Sequence, residues 1–156
     1  MKFAENTTVS VEASEAEIKR TLIRYGASSF MSGWKKSGVA VIGFEMKGHR
    51  VKFILPLPSP DEDEYTYTPA RKTKRSPAQA MLAWEKACRQ RWRALALVIK
   101  AKLEAVETGI TEFEEEFLAH IVLPNGSTVG EFMIPQVTQA YETKAMPPLL
   151  PDLRGS

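Results

Sequence analysis

The sequence contains a single cysteine and two histidines in 156 residues. One thiol, Cys88, cannot close an internal disulfide. It falls within an apolar helical stripe, so a buried, inert thiol is expected. There is no paired-cysteine zinc pattern, no glycine-rich phosphate loop and no nucleophile elbow. Gly33, Gly43 and Gly48 read instead as strand and turn glycines. No apolar run approaches the roughly 18 residues of a membrane helix. The N-terminal MKFAENTTVSVE carries neither an apolar signal core nor a small-residue cleavage site, which points to a reducing cytoplasm. What remains is one soluble domain over 1–156, able to bury roughly 70% of its unfolded surface.

Charge is present and unevenly placed. The net charge is only +2. Between Arg71 and Lys102, however, ten Lys or Arg face a single acid, Glu85, a local +9 that leaves −7 for the rest. The acids gather in Asp61–Glu64 and from Glu104 to Glu116. Segregation of this kind concerns partners and solubility rather than fold.

Hydrophobic periodicity and capping signals set the expected order of elements. Ser14/Glu17, Ser76/Gln79, Thr111/Glu114 and Thr128/Glu131 each match a capping box, predicting four helix starts. The first helix is expected over Glu15–Tyr25, with Gly26 as its terminator. Three strands follow over Ser28–Trp34, Val39–Met46 and Arg50–Leu55. Lys47-Gly48 makes a two-residue hairpin turn. That turn pairs Met46 with His49, Phe44 with Val51, Ile42 with Phe53 and Ala40 with Leu55, all on one nearly apolar face. A slip of one residue would destroy this sorting, so the register is specified. Residues 57–76 read as a mobile charged linker and 145–156 as an extended tail. A helix from Pro77 to Thr108 carries Met81, Trp84, Cys88, Trp92, Leu95, Ile99, Leu103 and Val106 as one stripe. At 1.5 Å per residue it is about 48 Å long, more than a three-stranded sheet needs. Ala94, Leu97, Val98, Ala101 and Ala105 on its rear call for a second layer, from the C-terminal helices or another subunit. Helices over Glu112–Ile121 and Val129–Glu142, the latter interrupted at Pro135, complete an α+β architecture: N-terminal helix, antiparallel meander, long packed helix, shorter C-terminal helices. Trp34, Trp84 and Trp92 are expected in the core, with a surface anchor as the other reading of Trp34.

Three constellations could carry chemistry. Lys86, Arg89, Arg93 and Lys100 fall within about 60° of one another on the long helix. The neighbouring Arg71, Lys72, Lys74 and Arg75 follow Tyr65 and Tyr67. Cations neutralise phosphates and tyrosines stack on bases, the combination used on single strands; a solvated helix face beside a charged linker is the plain alternative. Glu112, Glu116 and His120, at i, i+4 and i+8, could ligate a metal, although a solvated acidic helix explains them more simply. Asp61–Glu64 could hold Mg²⁺, but a proline-flanked loop lacks the rigidity such sites need.

The segments SVEASEAEIKRTLIRYGA, AVIGFEMKGHRVKFILPLP, CRQRWRALALVIKAKLEAVETGI and FLAHIVLPNGSTVGEFM resemble a family of small, functionally unassigned proteins of tailed phages and prophages. That resemblance implies a phage setting and brings no catalytic residues. A looser similarity, of topology only, is to the core of Rad52-type single-strand annealing proteins. Together these lead to an expected non-enzymatic, oligomeric nucleic-acid-binding protein of phage DNA metabolism in the bacterial host cytoplasm. Single-stranded DNA is the favoured partner; no cofactor and no membrane contact are expected. The alternatives are a phage protein that binds a host protein, including a defence factor, and a metal-dependent nuclease built on Glu112, Glu116 and His120.

Overall fold

In a computed structural model the described residues are 9–35 and 38–146. The elements are α1 (Val11–Arg24), β1 (Ser29–Lys35), β2 (Val39–Met46), β3 (His49–Pro56), α2 (Asp63–Thr66), α3 (Pro77–Glu107), α4 (Phe113–Phe117), a 3-10 turn at Leu118–His120, and α5 (Val129–Thr143). The tail expected from 145 falls beyond the described residues after Met146.

The three strands form an antiparallel sheet in the order β1-β2-β3. Its hairpin has the expected register, from Met46 opposite His49 to Ala40 opposite Leu55. Lys47 and Gly48 both take positive φ, 50° and 77°. That is the backbone of the turn whose twist matches flanking strands. The inner face presents Ala40, Ile42, Phe44, Met46, Val51 and Phe53 to the core. There they meet Ile18 and Leu22 of α1, Trp92, Leu95, Ile99 and Leu103 of α3, and Phe113 and Phe117 of α4. Phe117 meets Phe44 and Phe53 edge-on, with ring centroids 6.0 and 6.2 Å apart. Aromatic pairs favour this geometry because the positive ring edge meets the negative face.

Two capping boxes form as expected, at Ser76/Gln79 and Thr128/Glu131. Two do not. Helix α1 starts four residues early, with the Ser10 hydroxyl accepting from the Ala13 N–H at 3.1 Å. Val11 packs against the core with Ile18 and Leu22, and this apolar face draws the helix upstream. Ser14 is thereby buried inside the helix, with its hydroxyl unpartnered among the described residues. At α4 the N-cap is Glu112, without a side-chain bond. Thr111 instead donates to a Glu116 carboxylate oxygen at 3.0 Å. The expected helix to Ile121 stops at Phe117 because the chain must reach the edge of β3. Ile121 bridges to Val51, and the Val122 N–H donates to the Arg50 carbonyl at 2.8 Å. Backbone groups on an open sheet edge demand such partners.

The 57–76 segment folds into α2 and a tight turn rather than running as an open linker. The Trp84 indole donates to the Pro58 carbonyl at 2.6 Å, tying this segment to α3. Trp92 is core, whereas Trp34 stands exposed at the end of β1. Met81, the first residue of the expected stripe, is also exposed because the sheet ends short of it. The rear of α3 is not covered by the C-terminal helix: α5 packs against the 3-10 turn, and Val98 stays exposed. Pro135 sits inside α5.

Candidate nucleic-acid interface

Helix α3 separates its basic residues onto two flanks. Arg93 faces α1, where its guanidinium is ion-paired with the Glu17 carboxylate. Arg89 borders the same side, sharing a cleft of about 410 Å³ with Glu12, Glu85, Trp84 and Trp92. On the other flank Arg91 donates to the Pro56 carbonyl at 2.8 Å. Lys102 pairs with Glu116 at 3.3 Å and reaches its backbone carbonyl at 3.1 Å. Part of the basic excess is therefore consumed within the chain. Lys86 is exposed and Lys100 half-buried, neither with an acidic partner among the described residues.

The 71–75 cluster is presented by a backbone-braced turn. The Thr68 N–H donates to the Thr73 carbonyl at 2.8 Å and the Lys72 N–H to the Thr68 carbonyl at 2.9 Å. The Thr73 N–H donates to the Thr68 hydroxyl at 3.0 Å, and Tyr67 bridges to Lys74. Lys72 takes φ 49°, which turns the chain at the tip. Arg71, Lys72 and Lys74 are exposed there, with no acid paired to them among the described residues. Arg75 points inward instead, donating to the carbonyls of Glu64 and Tyr65 at 3.4 and 3.2 Å.

The two tyrosines have different fates. Tyr67 is 39% exposed, beside the basic turn. Tyr65 is 5% exposed, packed toward α3, which corrects the expectation that it stacks on a base. Burial first, then the carboxylates of Glu64 and Glu62, push its phenol above the ordinary value. Burial likewise raises the Cys88 thiol, in keeping with an inert core cysteine.

The three proposed metal ligands do not converge. Glu116 is held by Lys102 and Thr111, while the His120 ring stacks on Phe53 with centroids 4.0 Å apart. Glu112 is exposed at the start of α4. Asp61–Glu64 lie exposed along the loop and α2. Among the described residues no three His, Cys, Asp or Glu side chains gather as a metal site requires.

A groove that the sequence reading missed lies on the β3 flank of α3. Phe53, Leu55, Ala94, Leu95 and Val98 floor a cavity of about 460 Å³, and Arg91, Lys102 and His120 rim it. Burial, then Lys102, hold the His120 imidazole below its ordinary pKa. The signal for this groove was faint: Arg91 and Lys102 belong to the basic segment but fall off its helical stripe. No helix is long and apolar enough to cross a membrane among the described residues. No family model, no curated protein and no solved structure matches the chain.

Proposed function

We propose that this is a non-enzymatic nucleic-acid-binding protein that holds single-stranded DNA. In this reading it serves annealing or recombination for a phage or prophage in the bacterial cytoplasm. The observation that carries the proposal is the turn at residues 68–74, which holds Arg71, Lys72 and Lys74 in solvent, without acidic partners among the described residues, next to exposed Tyr67. Each phosphate neutralised releases a counterion, so such a turn contributes affinity that falls with salt. A tyrosine face adds about 1–3 kcal/mol where an unpaired base stacks on it, which favours single strands over duplex. Lys86, Arg89 and Lys100 extend the basic surface along α3; Arg75 and Arg93 serve the fold first. The resemblance of four segments to tailed-phage proteins supports the setting.

Fluorescence anisotropy with a labelled oligothymidine at graded salt tests the reading. Micromolar or tighter binding that weakens steeply with salt is the expected result. No binding at low salt would overturn it. A host protein retained by the chain through the long helix or its basic face, with oligonucleotides ignored, would favour the host-binding alternative.

A further inference from the structure

The outer face of the sheet is largely open among the described residues, because α1, α3 and α4 all pack on the inner one; only its β3 side is reached, where the Lys52 ammonium donates to the Gly126 carbonyl at 3.0 Å. Its centre is apolar: Met31 lies opposite Gly43, Gly33 opposite Val41, and Val41 opposite Ile54. Met31 is 69% exposed. Met31, Gly33, Val41 and Gly43 floor an open concavity of about 500 Å³. Nothing among the described residues requires a glycine at either position. Neither has positive φ. A Cβ at Gly33 would meet nothing within 4 Å, and one at Gly43 only the Val51 carbonyl oxygen at 3.8 Å. Glycine weakens a strand interior, and its usual excuse is close approach by another group.

Helix α5 is unsupported in a complementary way. Of its 15 residues only Gly130, in the first turn, is buried. Ile134, Val137 and Tyr141, spaced three and four apart, form one exposed apolar stripe, with Ile134 at 62% and Tyr141 at 83%. A lone helix of this length is marginal in water, and Pro135 within it removes a backbone bond. The charges are complementary as well. The outer sheet face carries Lys35, Arg50 and Lys52 against Glu45, whereas α5 carries no base and two acids: Glu131, near Lys52 and Lys35 of its own chain, and Glu142 farther along the helix. Ile54 of β3 and Ile134 of α5 border one cavity, so floor and stripe form a continuous band.

We infer that the outer sheet face receives α5 of a second copy of this chain, in a two-fold dimer where each chain supplies one floor and one helix. Ile134, Val137 and Tyr141 pack over Gly33 and Gly43, whose missing side chains admit them. Because a two-fold axis applies the contact twice, both unsupported features of each chain are satisfied at once. This interface uses none of the residues of the basic turn.

Sedimentation velocity over a range of concentrations tests it. The wild-type chain is expected to sediment at twice its 17.5 kDa mass. A Cβ meets no clash at either glycine, so Gly33→Val with Gly43→Val should keep a folded circular dichroism spectrum and a cooperative thermal transition, its midpoint lowered only by the lost association, yet sediment as a monomer. Val137→Asp with Tyr141→Asp, both on exposed positions, should do the same. A wild-type monomer at every soluble concentration would overturn the inference. So would a dimer that survives both pairs of substitutions, or one lost with only one pair.

Discussion

The guanidinium of Arg93 on α3 is ion-paired with the Glu17 carboxylate on α1, across 76 positions of sequence. Both side chains are partly exposed, so the pair falls in the range of about 0.2–1 kcal/mol found for surface bridges. A double-mutant cycle with Arg93→Gln and Glu17→Gln, read by urea unfolding, should return a coupling of that size. Charge reversal at Arg93 would therefore alter stability and binding together. The turn residues Arg71, Lys72 and Lys74 give the cleaner test of binding.

Ser10 and Ser14 exchange the roles that local sequence suggests for them. Ser10→Ala removes the α1 cap and should cost about 1 kcal/mol. Ser14→Ala removes a buried hydroxyl without a partner among the described residues and inserts the best helix former. It should be neutral or stabilising by up to about 1 kcal/mol. Thermal unfolding of the two variants decides it; the opposite order would restore Ser14 as the cap.

A Cβ on Gly130 would lie 2.9 Å from the Ala119 carbonyl oxygen. Alanine gains up to about 1 kcal/mol of helix propensity, but forced packing against backbone costs about 1–3 kcal/mol. Gly130→Ala is therefore expected to destabilise the docking of α5. Faster amide exchange across 129–143, relative to α3, is the measurement that checks this.

His120 contributes a pH dependence of definite sign. Its folded pKa lies below the ordinary value of 6.5, chiefly through burial and secondly through Lys102. The folded chain thus binds fewer protons than the unfolded one in that window. The stability is present above the unfolded value and is lost as pH falls from there through the folded value. His120→Phe keeps a ring on Phe53 and removes the proton. Its melting temperature should fall less than that of wild type between about pH 7.5 and about pH 5.

The hairpin was legible because period-two patterning and a glycine turn allow only one register to bury Ile42, Phe44, Val51 and Phe53 together. The long helix was legible from its stripe and its box at Ser76 and Gln79. Ser14/Glu17 and Thr111/Glu114 misled because a capping box is a local signal, and here tertiary demands outweigh it: Val11 joins the core, and Lys102 holds Glu116. The basic residues were visible as a stripe, but not which are occupied. The partner of Arg93 is on a distant helix, and that of Arg91 is the Pro56 carbonyl, which no side-chain pattern records. Tyr65 and Tyr67 differ in burial for a similar reason: α2 turns the first toward α3 and leaves the second on the turn.

The most direct measurement is the salt dependence of single-stranded oligonucleotide binding by the wild-type chain and by the triple variant Arg71→Glu, Lys72→Glu, Lys74→Glu. Each phosphate contact contributes about 0.7 to the slope of log affinity against log salt for single strands. Loss of three contacts should weaken binding and flatten that slope by about 2. An unchanged affinity and slope in the folded triple variant would contradict the account.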